Sequence, residues 1–319
     1  MRVTTARSAG FCFGVKRAVD MVYEHAGNGN VYTYGPVIHN EEVVNDLTRR
    51  GVKVLETPED IKKAPKGTVI IRAHGVPEKI YRIIEESVHK LVDATCPFVL
   101  KIHQIVRKAS ADGTHVIIVG DKNHPEVQGI KSCADDSTVI ADESEAYIFM
   151  KNEAGHHKKL CVVAQTTYNF NKFQYLVEIF QKNSYDKIDV LNTICSATEE
   201  RQKEAAAIAA ESDAMIVIGS RNSSNACKLY DICRERCAHT YFVRTAADMD
   251  FEELKKFDRI GITAGASTPQ NIIEEVQAKC TIPQGGSRSS SSGSGKPPAG
   301  GSGAGQSASP QPGCCCARS

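Results

Sequence analysis

The sequence predicts an α/β fold in which three similar small α/β units form a pseudo-threefold trefoil around one central cavity, with a low-complexity tail at the end. Two observations predict it. Short apolar runs alternate with helix-length stretches, the pattern of βαβ units with mainly parallel strands. The pattern also occurs three times, and each copy opens on a cysteine at a helix start: Cys12, Cys96 and Cys195. The intervals between these cysteines are far longer than a solenoid repeat, so the copies read as domains, 1–95 (with the N-terminal strand and Cys12), 96–194 and 195–283, and 284–319 as the tail.

The elements follow in order within each unit. Cys12 leads into a helix over Phe13–Ala26, Cys96 into Pro97–Ser110 and Cys195 into Ser196–Ala210. An apolar strand comes next: Val31–Tyr34, His115–Val119 and Ala214–Ile218. Each strand ends in a polar loop: Gly35-Pro36-Val37-Ile38-His39-Asn40, Gly120-Asp121-Lys122-Asn123-His124-Pro125-Glu126 and Gly219-Ser220-Arg221-Asn222-Ser223-Ser224-Asn225. After a further helix, a second strand runs into a second loop: Thr68–Arg72 into Ala73-His74-Gly75, Leu160–Ala164 into Gln165-Thr166-Thr167, and Arg259–Thr263 into Ala264-Gly265-Ala266-Ser267-Thr268. In the first two units a short strand, Leu91–Asp93 or Ile188–Leu191, delivers the chain to the next cysteine. Parallel sheets bind ligands beyond the carboxyl ends of their strands. All six loops leave such ends, so a threefold arrangement would turn them and the three cysteines toward one cavity.

Composition suits a cytoplasmic enzyme. Hydrophobic residues make up 41% of 319 residues, enough for several small cores. Lys+Arg (39) and Asp+Glu (38) balance, so no overall charge calls for nucleic acid or a membrane surface. No apolar stretch is long enough to span a bilayer, and Met1-Arg2-Val3-Thr4-Thr5 reads as a first strand, not a signal peptide. Twelve cysteines without a secretion signal favour metal, redox or catalytic use over disulfides. From Gln284 to Ser319 the chain is Gly, Ser, Pro and Ala with almost no large apolar residue, a composition that predicts disorder. Cys314, Cys315 and Cys316 lie there; Cys316-Ala317-Arg318-Ser319 has the length of a prenylation box, but Arg318 stands where an aliphatic residue belongs.

Three thiolates brought together from three repeats can hold an iron–sulfur cluster and leave one iron without a protein sulfur. The helix amino termini behind them would lower the thiol pKa and offset the negative charge. Cys133, Cys161, Cys227, Cys233, Cys237 and Cys280 have no repeat equivalents and read as structural; Cys233 and Cys237 share a helical face, but no second pair completes a metal site. Among ten histidines, His39, His74 and His124 fall in strand-end loops, whereas His25, His89, His103, His115, His156, His157 and His239 read as surface or core. With Thr166, Ser223, Ser224, Asn225 and Ser267 the loop histidines supply compact donors suited to a phosphate or diphosphate. No Gly-x-x-x-x-Gly-Lys loop is present, which argues against a P-loop nucleotide site.

These segments, taken with Ala9-Gly10-Phe11-Cys12-Phe13-Gly14-Val15, Asp93-Ala94-Thr95-Cys96-Pro97 and His124-Pro125-Glu126-Val127, closely resemble the 4-hydroxy-3-methylbut-2-enyl diphosphate (HMBPP) reductase family, in order and from the first strand to about Cys280. The resemblance implies a 4Fe–4S cluster on Cys12, Cys96 and Cys195. It implies a substrate pocket of His39, His74, His124, Thr166, Ser223, Ser224, Asn225 and Ser267, and a proton donor at Glu126. It further implies a two-electron reductive dehydroxylation of HMBPP to isopentenyl and dimethylallyl diphosphates, the last step of a non-mevalonate isoprenoid route. Electrons would come singly from a ferredoxin, a flavodoxin or an equivalent donor. The C-terminus departs from the family, whose members commonly continue with an ordered segment.

Two other classes compete. One is a zinc enzyme built on the same cysteines and a histidine; the other is a non-catalytic diphosphate-binding protein. Labile sulfide separates the first, and turnover the second.

Overall fold

The computed structural model of the chain describes residues 1–152, 159–182 and 187–281. The expected tail, Cys314–Cys316, His156 and His157 lie outside the described residues. Twelve strands among the described residues form three four-stranded sheets. The first holds β2 (Val31–Tyr34), β3 (Val52–Leu55), β4 (Thr68–Ile71) and β5 (Lys90–Asp93), in the order β3-β2-β4-β5. The second holds β6 (His115–Val119), β7 (Ser137–Ile140), β8 (Lys159–Ala164) and β9 (Lys187–Val190), in the order β7-β6-β8-β9. The third holds β10 (Ala214–Ile218), β11 (His239–Val243) and β12 (Arg259–Ala264), and its order β11-β10-β12 is completed by β1 (Arg2–Thr5). Every pairing is parallel.

The N-terminal strand therefore lies in the third sheet, with Arg2 opposite Arg259 and Thr5 opposite Ile262; sequence reasoning had grouped it with the first unit. The placement follows the same rule as β5 and β9. In each sheet the outer strand next to β4, β8 or β12 delivers the chain to a cysteine and to the first helix of the next unit. Those helices are α1 (Phe13–His25), α5 (Pro97–Ala111) and α9 (Ser196–Glu211). The remaining helices are α2 (Glu41–Arg49), α3 (Pro58–Lys63), α4 (Glu78–Glu85), α6 (Pro125–Lys131), α7 (Glu143–Asn152), α8 (Phe170–Gln181), α10 (Ser224–Arg234), α11 (Phe251–Leu254) and α12 (Gln270–Thr281), with a short 3₁₀ turn at Ala246–Asp248.

Each sheet is covered on both faces, as parallel sheets require. In β6, Ile117 and Val119 enter one core with Phe173 and Phe180, while Val116 and Ile118 enter another with Ile102 and Val106. In β10, Ile216 and Ile218 pack toward α12, and Met215 and Val217 toward α9 and α10. In the first sheet Ile70 faces the core containing Ala18 and Val22, and Val69 and Ile71 face the core of Ile80 and Ile84. The inner strands read as unbroken apolar runs because both sides are buried. All residues of β2, β6 and β10 are buried, whereas β3, β7 and β11 each carry exposed or half-buried positions.

Candidate active site

Cys12, Cys96 and Cys195 each occupy the residue just before a helix, and none of their side chains caps it. The sulfurs are left for another purpose. The amide of Cys96 donates to the Ala73 carbonyl at 2.9 Å, and that of Cys195 to Thr166 at 3.1 Å. Each thus hangs from a strand-end loop of the preceding sheet. The three are free thiols, half-buried, and line one cavity with His74, Glu126, Thr166 and Arg201. Burial pushes Cys96 up to about 11, and Cys12 and Cys195 beside it add to the rise; burial raises Cys195 as well. For Cys96 and Cys195 the first-turn amides of the following helix pull the value down, but burial outweighs them. A metal in contact reverses that balance.

Gly14 explains how the thiols converge. A side chain there would run into the Cys96 sulfur. Glycine inside a helix is unfavourable against alanine by about 1 kcal/mol, so its place in the first turn of α1 reflects this approach. Gly14→Ala is expected to strengthen the isolated helix yet cost the protein at least several-fold in bound iron. Iron and sulfide analysis with a circular dichroism control checks this, and full iron content would show that the sulfur has room to move.

Beside the thiols lies a polar pocket from all three sheets. His39, His74 and His124 cluster with ring centroids 4.6, 5.3 and 5.9 Å apart, tilted or edge-on to one another, and their ligating nitrogens lie within 4.8 Å of one another. His124 caps α6 by accepting from the Glu126 amide at 3.1 Å. Ser223 caps α10, Ser224 and Asn225 open it, and the Asn225 side-chain oxygen accepts from the Ala266 amide at 3.0 Å. Ser267 donates to the His39 carbonyl at 3.2 Å and lies 3.3 Å from the Ser223 hydroxyl. Ser224 meets Thr167 at 3.1 Å, joining the second and third units.

Burial lowers His39, carries His74 well below the ordinary histidine value, and brings His124 to about 4. The three rings are therefore neutral at pH 7. Nε2 of His39, Nδ1 of His74 and Nδ2 of Asn225 are buried with no hydrogen-bond partner. Buried polar atoms are almost always paired, and three orphans in one pocket point to a ligand rich in acceptors.

Glu126 is 1% exposed and accepts from the Thr166 amide at 2.6 Å and the Thr166 hydroxyl at 2.8 Å. Burial lifts its carboxyl to about 7 against the pull of those two donors. It can thus still carry a proton near neutral pH, where an ordinary carboxyl cannot. Asp121, in the same loop, is exposed, and its side chain accepts from the Asn123 amide.

Sequence reasoning gave no role of their own to Arg72, Arg201 and Gly14. Arg72 is the last residue before Ala73-His74-Gly75. Its Nε donates to the Gly75 carbonyl at 3.3 Å, and its guanidinium packs on Gly35, whose φ is +68° and whose missing side chain leaves the room. It ties the His39 loop to the His74 loop and helps keep all three histidines uncharged. A charged residue closing an apolar strand was the available signal. The other cysteines sit in packing roles: Cys161 is buried in β8, and Cys133, Cys233, Cys237 and Cys280 are buried elsewhere.

The fold and site define a class: a three-sheet α/β protein with a convergent three-thiol centre, an adjoining acid and a pocket of neutral donors. The chain belongs to the LytB protein family, whose sequence profile matches residues 3–281. It is 41% identical over 283 residues to the 4-hydroxy-3-methylbut-2-enyl diphosphate reductase of Caldanaerobacter subterraneus subsp. tengcongensis, covering 88% of this chain and 96% of that one. It is 44% identical over 281 residues to the enzyme of the same name from Geobacter sulfurreducens, covering 86% and 95%. A solved (E)-4-hydroxy-3-methyl-but-2-enyl diphosphate reductase, described as the terminal enzyme of the non-mevalonate pathway, superposes with a TM-score of 0.63 at 38% identity, over 88% of this chain and 99% of that one. The Plasmodium falciparum E-1-hydroxy-2-methyl-but-2-enyl-4-diphosphate reductase superposes with a TM-score of 0.82 at 29% identity, over 88% of each. Family membership implies an iron–sulfur centre. No helix among the described residues is long and apolar enough to cross a membrane.

Proposed function

We propose that this chain is an iron–sulfur reductase that removes the hydroxyl group of HMBPP as water, giving isopentenyl and dimethylallyl diphosphates. The balance is one allylic alcohol, two electrons and two protons to one alkene and one water. The observation that carries the reading is the placement of a buried carboxyl, Glu126, in the same cavity as three free thiols. Cys12, Cys96 and Cys195 would hold a 4Fe–4S cluster. Three free sulfurs that cap nothing and share one cavity fit that donor set. When bound, the cluster supplies electrons one at a time and an iron without a protein sulfur; a ferredoxin, a flavodoxin or a similar one-electron carrier would reload it.

The protein's own residues do the rest. His39, His74, His124, Ser223, Ser224, Asn225 and Ser267 hold the diphosphate with uncharged donors, several of them otherwise unpartnered. An anion in their midst raises the histidine pKa values again, so binding can draw in a proton. His74 belongs to this pocket and also lines the thiol cavity, so one side chain links the anchored and reacting ends of the substrate. Anchoring the diphosphate fixes the hydroxymethyl group toward Glu126 and Thr166. Hydroxide is a poor leaving group; the Glu126 proton, passed directly or through the Thr166 hydroxyl, turns it into water.

Anaerobic reconstitution with iron and sulfide, followed by turnover of HMBPP with an artificial one-electron reductant, tests the reading. Stoichiometric zinc without labile sulfide, or a sulfide-loaded protein that binds HMBPP and never converts it, would sink it. With the cluster intact, His74→Ala and Asn225→Ala are each expected to weaken HMBPP binding by roughly tenfold, the scale of one hydrogen bond to an anion. Calorimetry measures this, and unchanged affinity in both variants would remove these loops from the diphosphate site.

A further inference from the structure

We propose that Arg201 is a built-in counter-charge for the thiol centre and sets its reduction potential; the proposal rests on the cluster assignment above. Arg201 lies in the second turn of α9, is 5% exposed and lines the cavity that holds Cys12, Cys96 and Cys195. Its Nη1 donates to the Ala197 carbonyl at 2.9 Å and its Nη2 to the Gly10 carbonyl at 2.7 Å. The guanidinium is therefore clipped between the approach to Cys12 and the first turn behind Cys195. Its Nε is buried without a hydrogen-bond partner. Among the described residues no carboxylate lies within ion-pair distance of it. Glu204, the next acid along the helix, is taken up by the Arg7 and Ser8 amides at 2.8 and 2.9 Å, and Glu200 is exposed.

A buried cation without an anion is costly. The acidic groups that act on it most strongly are the Cys12 and Cys195 sulfurs, ahead of Glu200 and Glu204. A cluster held by three thiolates supplies the missing negative charge, and one-electron reduction adds to it. A fixed cation in a low-dielectric wall stabilises the reduced form more than the oxidised form, which raises the potential. The neutral histidines add no charge to this cavity, and Glu126 can carry only a negative one. Arg201 is the permanent cation that lines it, and it acts on the reaction through the centre, without a role in holding the substrate.

The test compares R201Q with R201K in the reconstituted, full-length protein by redox titration under spectroscopic observation, with iron and sulfide counted. Glutamine can still donate to the Gly10 carbonyl but carries no charge; lysine keeps the charge and loses the forked clip. R201Q is expected to keep its cluster and shift the oxidised-to-reduced ratio at fixed potential at least tenfold toward oxidised, a fall of about 59 mV for one electron. R201K should stay within about threefold of the unaltered protein. An R201Q cluster with unchanged potential, or an equal fall in both variants, would overturn the proposal, the second by making the clip and not the charge responsible. Should R201Q assemble no cluster, R201K decides: assembly at the original potential supports the counter-charge, and failure or a tenfold shift rejects it. An unaltered chain that takes up no sulfide is a different result and rejects the cluster itself.

Discussion

Serine at Cys12, Cys96 or Cys195 is expected to remove most of the bound iron and nearly all HMBPP turnover, a loss of at least three orders of magnitude on the scale of removing a group on which the chemistry depends. Each sulfur leaves a different helix start, so no neighbouring thiol can take its place; the other described cysteines are embedded in cores or on outer helices. Serine is nearly isosteric, so the fold should persist, and the loss will show in iron and sulfide content before it shows in stability. Serine at Cys133, Cys161 or Cys233 should leave iron content nearly unchanged, since those side chains are packed away from the cavity. Equal iron loss in the two groups would refute the ligand set.

Glu126→Gln is expected to keep the cluster and the affinity for HMBPP while slowing turnover by roughly 10²–10⁴-fold, the usual contribution of a positioned acid. Glutamine can reproduce both Thr166 contacts, accepting from the amide and donating to the hydroxyl, but has no labile proton. The unaltered enzyme should lose kcat as pH rises through about 7, because the protonated carboxyl is the active form; the variant should lack that limb. Stability carries the same signature. A carboxyl whose folded value lies above the ordinary 4.5 favours the folded state fully below that pH and loses the preference as pH rises toward about 7. The Tm of Glu126→Gln should therefore be flatter across that window. Asp121→Asn is the control, and a slow Asp121→Asn beside a normal Glu126→Gln would show that the acid was misassigned.

The inner architecture was legible in the sequence because two-sided burial leaves short, largely apolar runs without Lys, Arg, Asp or Glu. The strands over Val31–Tyr34, His115–Val119 and Ala214–Ile218 were read with the bounds that the structure has. The outer strands β3, β7 and β11 were missed. Each is short and partly exposed, so Lys53 in β3 or Thr138 in β7 breaks the apolar run and leaves a segment that reads as loop. The three cysteines were legible through their repetition, which no single helix start would have revealed. Arg201 and Arg72 were not, because an arginine in an amphipathic helix or at a strand end looks like any solvated charge until the neighbouring backbone is known to enclose it. The neutrality of His39, His74 and His124 was equally hidden, since it arises from burial by three separate segments.

The position of β1 beside β12 also bears on how the molecule comes into being. During synthesis the first strand emerges at once, but its partner begins only at Arg259, so β1 must wait for almost the whole chain. Contacts so distant along the chain form late and slowly. Arg2-Val3-Thr4-Thr5 is suited to the delay: with one large apolar residue and alternate exposure it offers little for other chains to adhere to while unpaired. Until it docks, the segment carrying Cys12 has no fixed anchor on the third sheet. The sulfur nearest the start of the polypeptide thus gains its hold on the third sheet only once Arg259–Ala264 has been made.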